Sequence, residues 1–208
     1  MSETSSKKRK LSLPLVLAGG VSSLVLALGM SPTFSAFTAQ ITNDTNNASA
    51  GTLIMEESTT VGSVTTTCKS TDGGSVITNA ATCSTINKYG GANLAPGGTA
   101  TTTVVIKNSG NLTPASFSLT PAGCTQTGTI AGSAADICTK MTLVLKQDST
   151  QIYSGTLLAF APAAKTLTTV APGATSTFTF QITFGDISLG NTYQGLTANQ
   201  SLVWKFQA

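Results

Sequence analysis

No histidine occurs anywhere in the 208 residues, and that absence decides most of the chemistry open to the chain. It removes Ser-His-Asp and Cys-His nucleophile arrangements, the H-E-x-x-H zinc site and the commonest general base. What remains is a scatter of carboxylates: Asp44, Glu56, Glu57, Asp72, Asp136, Asp148 and Asp186. Glu56 and Glu57 are adjacent, so on a strand they point to opposite faces and do not converge as an acid-base pair. They are expected to flank a loop. The reading is of a protein that is not an enzyme and uses no metal and no cofactor.

The four cysteines, Cys68, Cys83, Cys124 and Cys138, are the other reactive groups. None has a partner at the two-to-four-residue spacing of a thiolate zinc site. Three disulfide connectivities are open, and clustering favours Cys68–Cys83 with Cys124–Cys138. By chain entropy, closing a loop of about fifteen residues contributes roughly 3 kcal/mol.

Such bridges need an oxidising compartment, and the first residues supply the route to one. Lys7, Lys8, Arg9 and Lys10 precede an uncharged, largely apolar run from Leu11 to Met30, then Pro32 and the small residues Thr33 and Ser35. This is the layout of a signal peptide over residues 1–35, folded as a signal helix and cut between Ser35 and Ala36. The rival reading is an uncleaved membrane anchor, since a run of this length can span a bilayer. Of 11 basic and 8 acidic residues, the leader holds those four cations and Glu3, so the remainder has seven of each and no net charge. No nucleic-acid partner is expected, and the membrane is met only through the leader. A neutral, charge-poor surface lacks the self-repulsion that keeps copies apart.

The elements that would position these groups are strands. Threonine, valine and isoleucine abound, and outside the leader no apolar period of 3.6 residues occurs. Phe37-Thr38-Ala39-Gln40-Ile41-Thr42 alternates, as a half-buried strand does. A second strand is expected to open at Ala50–Met55, and Cys68–Gly91 reads as a disulfide-tied loop or hairpin. Ala95-Pro96-Gly97-x-Thr99 and Ala171-Pro172-Gly173-x-Thr175 echo one another, each a type II turn that launches a Thr-rich strand. They are either equivalent places in two sheets or a chance match. Phe178, Phe180, Ile182 and Phe184 share one face of the second of these strands. Met141–Lys146 and Ser201–Phe206 are two more strands. The expected fold is all-β, an antiparallel sandwich or jelly roll occupying residues 36–208 as one domain.

Four places carry a family resemblance: Phe34-Ser35-Ala36-Phe37; Asn47-Ala48-Ser49-Ala50-Gly51-Thr52-Leu53; Asn93-Leu94-Ala95-Pro96-Gly97 with Lys107-Asn108-Ser109-Gly110-Asn111-Leu112; and Asn191-Thr192-Tyr193-Gln194-Gly195 leading to Leu202–Ala208. In this order they resemble the TasA/camelysin family of secreted bacterial biofilm-matrix fibre proteins. The resemblance implies a jelly roll, cleavage by a dedicated signal peptidase, and assembly into filaments at the cell surface or in the extracellular matrix. It also implies that an N-terminal segment of one subunit pairs with the sheet of the next. Here that segment is 36–42, with Phe37, Ala39 and Ile41 filling pockets. Its partners would be other copies of the chain and related matrix proteins. The four cysteines and the low charge depart from the family pattern. The other readings are a monomeric surface module binding through its loops, and a camelysin-like metalloprotease, which the missing histidine disfavours.

Overall fold

Alternation along residues 175–184 places a strand with one apolar and one hydroxylated side, and this strand is central in the larger of the two main sheets. The computed structural model describes residues 41, 47–91, 93–185 and 187–208. The signal segment 1–35, the Ser35/Ala36 cleavage pair, Phe37, Ala39, Asp44 and Asp186 lie outside the described residues. Ile41 is described, in no regular element and almost fully exposed. Residues 49–208 form one compact unit.

Eleven strands, all paired antiparallel, build that unit: β1 (Met55–Val61), β2 (Val64–Lys69), β3 (Thr99–Asn108), β4 (Ser116–Pro121), β5 (Thr125–Thr127), β6 (Met141–Gln147), β7 (Thr150–Thr156), β8 (Lys165–Leu167), β9 (Thr175–Phe184), β10 (Thr197–Asn199) and β11 (Leu202–Gln207). Six of them form a sheet in the order β2-β1-β3-β9-β6-β7; β11-β4-β8 form a second, and β5 and β10 pair separately. The chain is all-β and sandwich-like. Among the described residues helix is confined to single turns, α1 (Ile137–Lys140) and α2 (Leu157–Phe160), and to a 3₁₀ segment, Ile187–Tyr193. None of these is long and apolar enough to cross a membrane.

The two main sheets face each other through aromatic side chains. Phe178 and Phe180 of β9 are wholly buried, as are Phe117 and Leu119 of β4. The Phe117 ring meets Phe178 edge-on at 5.8 Å, and Trp204 of β11 lies 4.6 Å from Phe178. Burying a large apolar side chain contributes about 1.5–3 kcal/mol, so this double row dominates the packing. On the opposite face of the six-stranded sheet, register aligns Thr99 with Thr183 and Thr183 with Thr142, which satisfies the period-two pattern.

Both Pro-Gly turns form, with Gly97 at φ +78° and Gly173 at φ +75°, backbone that only glycine adopts at no steric cost. They do not occupy two sheets. Their strands are neighbours, β3 against β9, and each turn closes the far end of the other's strand. Gly97 N–H donates to Phe184 O, and Gly173 N–H donates to Asn108 O. Antiparallel pairing of two like turn-strand units produces this arrangement directly.

Three expectations are corrected. The second strand begins at Met55, and residues 50–54 instead run beside the 109–112 turn, with Ser109 N–H donating to Ile54 O and Asn111 N–H to Thr52 O. Glu56 and Glu57 flank no loop: both lie in β1, where Glu57 faces inward opposite Ile106 and Glu56 outward opposite Lys107. Cys68 is in β2 itself, so the loop proper starts only after Lys69. Asn108, fully buried at the end of β3, anchors the region by donating to Leu112 O (2.8 Å) and Val170 O (2.9 Å) and accepting from Gly110 N–H.

Candidate functional site

β11 ends the chain as an alternating strand, with Leu202, Trp204 and Phe206 turned inward and Val203, Lys205 and Gln207 exposed. Among the described residues it pairs with β4 alone, so its other margin is open. Beside that margin lies a groove of about 750 Å³. The segment from Asn79 to Tyr89 forms its opposite wall, and Met55 and Glu57 of β1 contribute to the lining.

The sequence builds this wall by tying a Gly- and Asn-rich loop down at several points. The disulfide Cys68–Cys83 fastens it to β2, and Cys124–Cys138 fastens the start of β5 to α1 in another part of the unit. Two such bridges suit an oxidising, extracellular setting. Ile86 is buried in the core, Asn79 donates through Nδ2 to Leu53 O, and Ala81 N–H donates to Ser70 O. Tyr89 donates its hydroxyl to Gln200 Oε1 at 2.6 Å, and its ring packs 6.5 Å from Phe180. Burial, and secondarily Tyr153, pushes the Tyr89 phenol well above the usual tyrosine range.

Across the middle of the groove runs a polar bridge. Glu57, 6 % exposed, accepts the Trp204 indole N–H (3.1 Å) and the Lys88 ammonium (2.7 Å) on one oxygen, Oε1. A charge this deep persists only when paired, so Glu57 and Lys88 hold each other in place. Lys88 and Tyr89 carry no motif and sequence reasoning passed over both, while Glu57 was weighed only as half of an adjacent pair flanking a loop. The one available signal was the even spacing of Leu202, Trp204 and Phe206.

Two other carboxylates, Asp136 and Asp148, are engaged elsewhere. Asp136 accepts the Tyr193 hydroxyl at 2.6 Å and lies 3.7 Å from Lys140; the tyrosine bond foremost holds its carboxyl below the usual range. Asp148 accepts from Ser176 Oγ and Thr177 N–H. Among the described residues no three Cys, Asp or Glu side chains gather as a metal-binding group. The arrangement can hold an extended chain: a strand margin that no described strand pairs, a lining of mixed apolar and polar side chains, and a fixed wall.

Two of the motif blocks meet in space, since Thr52 N–H donates to Asn111 Oδ1 at 2.6 Å. A third packs against residues 134–136, with Ala134 N–H donating to Thr192 O beside the Tyr193–Asp136 bond. No protein-family model matches the chain, and no curated protein matches it either.

Proposed function

We propose that the chain is a secreted structural subunit of an extracellular or cell-surface fibre, assembled when residues 36–42 of one copy add as a strand to the next. The observation that carries this reading is the margin of β11 that no described strand pairs, beside a groove lined in part by Leu202, Trp204 and Phe206. Strand addition gains main-chain hydrogen bonds along such a margin and seats alternate side chains in the groove. A fourth strand there would extend the three-stranded sheet and complete a jelly-roll-like sandwich. Sequence offers the occupant: Phe37, Ala39 and Ile41 alternate with Thr38, Gln40 and Thr42. The two disulfides, the leader-like start and the motif order shared with the TasA/camelysin family fit the same reading. So does a part beyond residue 35 with no net charge, which does not repel its own copies. The contact is head-to-tail, and when its rotation fails to close a ring it propagates as a filament.

The test is to follow the chain that begins at Ala36 by light scattering and electron microscopy, with and without residues 36–42. Concentration-dependent growth is expected from the longer form and a folded monomer from the shorter. Fibres of ordinary length from the shorter form overturn the mechanism, and so does a longer form that stays monomeric at every concentration.

A further inference from the structure

One part of the groove's lining is held fixed across its width. Trp204 stands midway along the inward row of β11, between Leu202 and Phe206. Its indole reaches over to Glu57, and the same carboxylate oxygen holds Lys88. Beneath, the ring rests 4.6 Å from Phe178 and 5.8 Å from Phe117. Displacing this layer would break a buried ion pair, leaving a charge uncompensated, and would open an aromatic cluster.

A strand added along β11 turns every second side chain inward, and residues directly opposite have Cβ atoms about 4.5–5.5 Å apart. The inward residue that meets Trp204 therefore has to be small. Its neighbours two residues away face Leu202 and Phe206, which line the same groove without joining the Glu57–Lys88 bridge. The segment 36–42 carries its small residue between two large ones: Phe37, then Ala39, then Ile41. We infer that Ala39 of the incoming copy lies opposite Trp204 and thereby fixes the register of the added strand. A slip of two residues would set Phe37 or Ile41 against the indole, and a slip of one would turn the apolar row outward. This inference rests on the strand-addition reading and supplies what that reading lacks, the residue that sets the register.

Cross-linking tests it. One population of the chain beginning at Ala36 carries Thr38→Cys or Gln40→Cys. A second carries Val203→Cys or Lys205→Cys, both at exposed positions. After mixing and mild oxidation, non-reducing gels are expected to show intermolecular bridges from 38 and 40 to 203 and 205. Bridges that form only when the cysteine is moved to Ala36 or Thr42 overturn the register. Ala39→Phe is expected to abolish fibre growth while residues 49–208 unfold at the same denaturant midpoint; ordinary fibres from Ala39→Phe overturn it as well. Loss of fibres on deleting 36–42, together with normal fibres from Ala39→Phe, sinks the register and leaves strand addition standing. Fibres that survive the deletion sink both.

Discussion

Glu57 is the residue whose removal should be felt most. It sits 6 % exposed and holds Trp204 and Lys88 on one oxygen, with the Lys88 and Glu57 side chains 10 % and 8 % exposed. Breaking a buried pair from one side leaves an uncompensated charge and costs about 3–5 kcal/mol, whereas replacing both partners by apolar residues is often neutral. Glu57→Leu and Lys88→Met are therefore each expected to lower stability by that amount, and the double variant to recover most of it. Urea unfolding of the four proteins checks this. Neither residue was legible beforehand. Glu57 is one of two adjacent acids in the sequence and Lys88 lies in a loop-like stretch, so nothing local shows that folding joins them.

Among the elements, two glycines separate a backbone requirement from a steric one. Gly173 stands at φ +75° with open space where a side chain would go. Gly173→Ala should thus cost only the left-handed conformation, about 1–2 kcal/mol. At Gly110 a Cβ would come within 2.2 Å of Thr52 O, a main-chain atom with no freedom to swing aside. Gly110→Ala is expected to cost more than Gly173→Ala by forcing the 50–54 segment off its turn, and denaturant midpoints of the two variants rank them. The strands themselves were largely legible. Phe178, Phe180, Ile182 and Phe184 are all buried, because a half-buried antiparallel strand writes its two faces into alternate residues. β1 was misplaced because its inward row includes a carboxylate, and a partner supplied from a distant loop overrides the local pattern. The disulfide-tied loop was legible as a loop, but its role as the wall of a groove was not, since no spacing rule says which strand margin it will face.

For the molecule as a whole, the absence of histidine moves all strong pH dependence to the two ends of the scale. At the acid end Asp136 has a depressed carboxyl, so its contribution is present above the ordinary value of 3.8 and is lost as pH falls through the lower folded value. At the alkaline end all three tyrosines are raised: Tyr89 and Tyr153 chiefly by burial, Tyr193 chiefly by its bond to Asp136. Their contribution is complete below pH 10 and is lost as pH rises through the folded values. Phenolate absorbance is expected to lag behind that of free tyrosine and to climb together with loss of the fold; ionisation at the ordinary pH in a folded protein would contradict the burial. Composition was enough to read an all-β, charge-poor molecule. The order of strands was not readable, because β1 meets β3, and β3 meets β9, only through contacts between residues far apart in sequence.

The crossed Pro-Gly turns make the two ten-residue strands β3 and β9 rulers for one another. Each finishes where the other's bend begins, through Phe184 on one side and Asn108 on the other. Lengthening one alone would carry its bend past its sister's tip and strand both sets of main-chain bonds. Any insertion that survives in this pair should therefore arrive in matched steps, two residues in each.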